Sequence, residues 1–356
     1  MNVLYDYQAF YRDRVGGVSR YFSEIITHMP QEVTTEVTAA TSCNLYMKQH
    51  ISALAIDCSP RQRFRSKALR MLNHAWASQR LKKGGYDIFH PTDFDPYYLP
   101  HVKAPIVATI HDMYWEMSHV NPAMEQMRHQ QITTAQHIIT VSEQTRTDLL
   151  SLYPMVDPSR VTTIHHGFTP IAADKQSKPL FAQPYLLFVG KRSGYKNYVT
   201  LLHAFAALSD KYPDLLLVCT GMPFSSEEQQ QIASLHLGDR VRQVFANDQQ
   251  LYSLYHHARC FVYPSEYEGF GIPILEAWGC ECPVLLSQAS CFPEIGGSAT
   301  DYFETKSVDS LVEGIKSIID NEAHRQDLIE HGNQRIKLFT WEKAANQTLQ
   351  IYNSLL

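Results

Sequence analysis

Residues 263–283, YPSEYEGFGIPILEAWGCECP, decide how this chain is read. They pass from the end of an apolar strand through a glycine-rich turn into a helix. Pro273 falls near the first turn of that helix, where a missing N–H does no harm. Gly269 and Gly271, on either side of Phe270, let the backbone bend sharply and come close to a ligand, leaving helix N-terminal amides aimed at an anion. Glu276 lies one turn into the helix. A carboxylate there accepts two hydrogen bonds at once, which suits the vicinal diol of a ribose. Glu268, before the turn, is placed to meet sugar hydroxyls on the other side of the phosphates. A capped helix with ordinary acidic residues is the competing reading. Gly-x-Gly alone leaves it ahead; the full string Glu-Gly-Phe-Gly-x-Pro-x-x-Glu does not.

Outward from this stretch, short β-rich runs alternate with amphipathic helical runs. Strands are expected at 3–5, 87–90, 106–111, 137–142 and 161–165, then at 185–189, 215–220, 241–245, 261–264 and 284–287. A helix is expected over 18–29, where apolar residues 18, 21, 22, 25, 26 and 29 keep helical spacing. This alternation predicts an α/β fold of two doubly wound, parallel-sheet, Rossmann-like domains. At about 150 residues per domain, a 356-residue chain also gives two. The polar, aperiodic stretch 169–183 reads as the linker, dividing residues 1–168 from 169–340. Residues 341–356 read as an amphipathic terminal helix, expected to pack back on the first domain.

Composition narrows the class. Hydrophobic residues make up 44% and charged residues 19%, which is ordinary globular material. A net charge of −5 argues against a nucleic-acid partner. The seven cysteines are odd in number, form no CxxC and mostly sit in apolar runs, as expected of reduced thiols in a cytoplasmic protein. No apolar run reaches the length of a membrane span. Asp93 and Asp95 form a DxD that reads as a loop feature, and zinc spacings, a P-loop and GxGxxG are all missing from the sequence.

The Glu268–Glu276 string resembles the E-x7-E motif of retaining glycosyltransferases of family 4, whose fold is named GT-B. The likeness recurs at Gly16–Gly17, His111–Asp112, Ser142–Glu143 and 188–197, FVGKRSGYKN. It implies two Rossmann-like domains, with a nucleotide-sugar donor on the second and the acceptor mainly on the first. Within 190–197, the cations Lys191, Arg192 and Lys196 are of the kind that offsets charge on a departing diphosphate without a metal. The family places an Arg and a Lys five residues apart there. Lys191 stands in the Arg position and Lys196 in the Lys position, leaving Lys191 and Arg192 as alternatives for the diphosphate contact. The resemblance further implies that Gly16 and Gly17 lie under the donor phosphates and that Phe245 walls the nucleobase. It sets His111 beside the transferred sugar, where it orients hydroxyls and acceptor. The catalytic set is then His111, Glu268, Lys196 and Arg192. The donor set adds Gly16, Gly17, Lys191, Phe245, Gly269, Phe270, Gly271 and Glu276. No cofactor and no metal are expected.

The opening YDYQAFYRDRVGGVSRYF looks like mannosyltransferase members, which favours GDP-mannose over a UDP-sugar and a role in surface polysaccharide such as O-antigen. A binding protein without turnover is the rival from another class. From Arg61 to Lys83 the chain carries eight basic residues and no acidic one. A solvated helix face accounts for that run, as does attraction to anionic phospholipid at the inner membrane surface or to a lipid-linked glycan acceptor. Residues 1–168 carry 16 basic and 15 acidic side chains, against 15 and 21 in 169–356, so the net −5 averages two unlike halves.

Overall fold

The computed structural model describes residues 1–11, 14–47, 54–55, 63–170, 178–192 and 194–356, with side chains except at 54–55 and 63–66. The chain divides into two units, Met1–Gly167 with Thr340–Leu356, and Phe168–Phe339. Residues 171–177 of the expected linker lie outside the described residues. The chain leaves and re-enters the first unit side by side. Phe168 N–H donates to Phe339 C=O at 3.1 Å. A Cβ on Gly167 would sit 2.2 Å from Trp341 N, so only glycine fits that approach.

In the first unit the strands are β1 (Asn2–Asp6), β2 (Thr34–Thr38), β3 (Thr41–Ser42), β4 (Leu54–Ala55), β5 (Ile88–His90), β6 (Val107–Ile110), β7 (His137–Thr140) and β8 (Val161–Thr163). They pair in parallel as β2-β1-β5 and β6-β7-β8, with β3 beside β4. A parallel bridge between Phe89 and Ile106 brings β5 alongside the β6 segment. Strand β2 was not expected. Its sequence TTEVT is polar and mostly solvent-facing at a sheet edge, so no apolar run announces it.

The terminal helix Trp341–Ser354 buries Ala344, Ala345, Ile351 and Tyr352 in the first unit's core. Tyr352 also anchors it by polar contacts. Its hydroxyl meets Tyr5 OH at 2.9 Å and His90 Nδ1 at 2.6 Å, while His90 Nε2 meets Thr109 Oγ1 at 2.9 Å. A fully buried imidazole needs partners at both nitrogens, and the helix supplies one of them.

The second unit holds β9 (Tyr185–Phe188), β10 (Leu216–Thr220), β11 (Val241–Val244), β12 (Cys260–Tyr263), β13 (Val284–Ser287) and β14 (Asp301–Phe303) in one parallel sheet, order β11-β10-β9-β12-β13-β14. Strands such as YLLF, CFVY and VLLS are buried throughout, as a sheet covered on both faces requires. Helices Tyr198–Leu208 and Val308–Ile319 supply Leu201, Phe205, Leu311 and Ile315 to one core cluster. Helix Ile272–Gly279 buries Ile274, Leu275 and Trp278. The order reverses between β9 and β12, and in such sheets ligands bind outside the strand ends at that switch point.

The first unit's histidines set its acid sensitivity. Burial lowers the pKa of His90 to about 3, with His111 adding to the effect, and that of His111 to about 4; it drives His166 well below the ordinary value. The unfolded chain takes up these protons near pH 6.5 and the fold does not, so stability falls as pH drops, by about 1.4 kcal/mol per pH unit per histidine. Asp6, buried and raised to about 6, works the other way below that pH, as does Glu116, which burial also raises, while His137 is lowered and adds to the three imidazoles. The urea midpoint of the first unit is therefore expected to drop between pH 7 and pH 5. A flat or rising midpoint would contradict this.

Candidate active site

Two loops meet at the switch point of the second unit, residues 189–197 after β9 and 264–271 after β12. Glu266 N–H donates to Tyr195 C=O at 2.7 Å, so the two loop backbones are joined. Two residues on, Lys196 Nζ lies 2.6 Å from Glu268 Oε1, with both side chains largely buried. The ammonium also sits 4.9 Å from the Tyr195 ring centroid and 5.9 Å from that of Tyr263. Burial, with the Glu268 charge beside it, pushes the Tyr263 phenol well above its ordinary value, so it stays a neutral wall. A cation and a carboxylate are thus held in fixed register in a partly desolvated place, where each acts strongly on an arriving ligand.

The turn leads into helix Ile272–Gly279 through Gly271 at φ +93°. A Cβ there would lie 2.9 Å from Ile274 Cδ1 and 3.2 Å from the Phe292 ring, so glycine is required twice over. No side chain caps this helix start, which favours an anion at its first amides. Glu276 follows, its Oε2 accepting from the buried Tyr255 hydroxyl at 3.3 Å. Phe270 departs from expectation. Its side chain is buried against Phe339, ring centroids 5.8 Å apart, so it offers a ligand backbone only.

Arg192 has partners within the unit. Its guanidinium, 6% exposed, pairs with Glu228 at 2.8 Å and donates to Thr220 C=O at 3.3 Å and Met222 C=O at 2.6 Å. Burial opposes ionisation of Glu228, yet the Arg192 bonds hold its carboxyl below its ordinary value. Arg192 is committed to holding the end of β10, whereas Lys191 beside it is exposed. At the ends of β10 and β11, Met222 and Phe245 are 71% and 78% exposed, and Gly221 N–H donates to Val244 C=O at 3.1 Å to keep the two strand ends together. Phe245 is therefore no core residue.

In the first unit, Gly16 caps helix Gly17–Thr27 at φ −169°, ordinary extended backbone, and its carbonyl accepts from Arg20 N–H at 3.0 Å. His111 follows directly on β6, with its ring edge-on to Tyr21 at 4.9 Å and its Nε2 buried without a hydrogen-bond partner. It is neutral at physiological pH, with one nitrogen unused. Asp95 caps the short turn Pro96–Tyr98, the loop role expected of it. Among the described residues no group of three or more His, Cys, Asp or Glu is placed to hold a metal ion.

Comparison with known proteins gives two adjoining matches. Residues 15–170 match the model described as Glycosyltransferase Family 4, and 171–335 that described as Glycosyl transferases group 1. O-antigen chain mannosyltransferase B of Escherichia coli is 30% identical over 320 residues, 83% of this chain and 81% of that protein. This chain belongs to glycosyltransferase family 4.

Solved structures agree on the fold. Sucrose-phosphate synthase from Thermosynechococcus elongatus superposes with TM-score 0.76 at 19% identity, over 100% of this chain and 99% of that one. Anabaena Alr3699/HepE in complex with UDP and glucose gives 0.77 at 16%, over all of both chains. The glycosyltransferase therefore has the GT-B fold. Sequence reading missed Tyr195, Met222, Tyr255 and Ser290, which line or brace its switch-point loops. Tyr195 stands beside Lys196, already singled out, but nothing local in the sequence marks Met222, Tyr255 or Ser290. The Lys191–Arg192 alternative has a direct test. Lys191→Ala is expected to weaken nucleoside diphosphate binding about tenfold at unchanged stability. Arg192→Ala is expected to lose about 1–3 kcal/mol of stability, because Glu228 loses its ion pair and the carbonyls of Thr220 and Met222 lose their donor. Calorimetric titration and urea unfolding read the two effects, and the reverse assignment would overturn the geometry.

Proposed function

We propose that this glycosyltransferase moves mannose from GDP-mannose to a glycan or lipid-linked glycan acceptor, with retention at the anomeric carbon, in O-antigen assembly. The observation that carries the reading is the Lys196–Glu268 pair at the switch point, with Glu276 one turn into the helix that follows. In this reading Glu276 takes the ribose diol, and Phe245 with Met222 forms a flat apolar wall for the base. Lys196, Lys191 and the uncapped helix start hold the diphosphate, so no metal is required and no cofactor takes part. The bond between the anomeric carbon and the diphosphate oxygen breaks, and the acceptor hydroxyl forms the new bond on the same face. Its proton passes to the leaving phosphate oxygen. Protein groups contribute position and charge, with Glu268 and neutral His111 orienting hydroxyls.

The preference for mannose rests on the similarity to the Escherichia coli O-antigen mannosyltransferase. A UDP-sugar is the second reading, favoured by the UDP and glucose in the complex of the Anabaena neighbour. Thermal unfolding with GDP, UDP or ADP separates these readings. GDP at 100 times its Kd is expected to add about 2.7 kcal/mol, a rise of a few degrees in Tm. Stabilisation by UDP alone would move the assignment to UDP-sugars, and none by any nucleotide would sink it. Glu276→Ala is expected to weaken nucleotide binding, and Lys196→Ala to slow transfer by about 100-fold with less effect on binding. Binding without turnover in the presence of acceptor would mark a non-catalytic protein.

The acceptor reading includes contact with an anionic phospholipid surface. Helix Arg63–Lys83 carries Met71, Leu72 and Trp76 largely exposed, Trp76 at 55%, with Lys67 and Arg70 exposed on the same segment. Its buried side is Asn73, Ala77, Ser78 and Leu81, so the helix's apolar residues divide between core and solvent. Arg80 is taken by Glu36 at 2.7 Å, and Arg61 lies outside the described residues. Among the described residues no helix is long and apolar enough to cross a membrane. Apolar side chains ringed by cations fit the boundary of an anionic bilayer. The chain is expected to float with vesicles rich in anionic phospholipid, and Lys67→Glu/Arg70→Glu with Trp76→Ala to stay with soluble protein. Equal recovery of both would remove the membrane from the account.

A further inference from the structure

We infer that Ser290 is a positioning residue for the transferred-sugar end of the site, acting through the main chain of Glu268; the inference rests on the donor reading above. Ser290 lies in the loop after β13, at φ +52° in the left-handed region. That conformation strains a residue with a Cβ, and glycine fills it without strain. What serine adds there is a hydroxyl, and the hydroxyl is fully used. It donates to Glu268 C=O at 2.7 Å and accepts from Glu268 N–H at 3.2 Å. Both peptide groups flanking the Glu268 Cα are thereby fixed, and with them the direction in which its carboxylate leaves the backbone.

The rest of this segment grips the same loop. The Ser287 hydroxyl donates to Ser265 C=O. The Phe292 ring lies 4.9 Å from that of Tyr263 and closes on Gly271. Residues 287–292 thus hold 264–271 at both ends and in the middle, while Tyr195 and Lys196 hold it from the other side. These two supports differ in what happens when donor arrives. A diphosphate that engages Lys196 competes with Glu268 for the ammonium and loosens the 2.6 Å pair. The Ser290 clamp involves no charge and survives that competition. With donor bound, the aim of Glu268 therefore depends on Ser290 more than on Lys196.

The decisive comparison is Ser290→Gly with Ser290→Ala in the full chain. Alanine removes only the hydroxyl and keeps the left-handed strain; glycine removes the whole side chain and relieves it. Both variants are expected to lose about tenfold in kcat, with inhibition by free nucleoside diphosphate within twofold of wild type and Tm of the glycine variant equal or higher. Hydrogen exchange within 264–271 is expected to speed up in Ser290→Gly. Wild-type kcat in the glycine variant, or nucleoside diphosphate affinity falling as far as kcat, would overturn the assignment. Unchanged exchange in 264–271 would overturn the clamp whatever the enzyme transfers. A wild-type chain that binds no nucleotide would instead remove the donor reading.

Discussion

The second unit turns on the contact between the loops that follow β9 and β12. Parallel strands with their helices wind outward in opposite directions from that pair, so the two loops part and leave a crevice between them. Left alone, such a crevice is two mobile segments. Here Glu266 N–H to Tyr195 C=O joins the backbones, and Lys196 to Glu268 joins the side chains. Two features hold the ion pair in place. It is largely withdrawn from water, and the backbone bond beside it has already set its register. Everything assigned to the donor is arranged around that fixed point. The glycine turn and uncapped helix follow Glu268, the exposed Lys191 precedes Lys196, and the apolar wall of Met222 and Phe245 stands on the neighbouring strand ends.

Much of this was legible because the signals are local. Glycine at 271 follows from a turn that closes on Ile274, three residues away. The buried strands of the second unit announce themselves as unbroken apolar runs. What escaped depends on partners far along the chain. Lys191 and Arg192 are adjacent cations of equal promise in sequence. The structure separates them through Glu228, 36 residues on. Phe270 sits inside the motif yet packs on Phe339, near the end of the unit. Strand β14, three residues long with Asp301 and Tyr302 part-exposed, lacks the run that marked its neighbours.

The first unit follows a different economy of charge. Its buried histidines are neutral: His90, His111 and His166 are kept unprotonated by burial, and the terminal helix reaches that interior through Tyr352. The sequence divided its charge between the halves without showing this, because burial, not composition, removes the imidazolium. A neutral His111 with a buried, unused Nε2 suits orientation of a hydroxyl better than attraction of a phosphate.

The most direct test of this account is a structure of the chain with a nucleoside diphosphate bound. The account predicts phosphate oxygens within hydrogen-bonding distance of Lys196 Nζ and of the amides at the start of helix Ile272–Gly279, the ribose diol on Glu276, and Arg192 still on Glu228. A diphosphate held elsewhere, with the Lys196–Glu268 pair undisturbed, would contradict it.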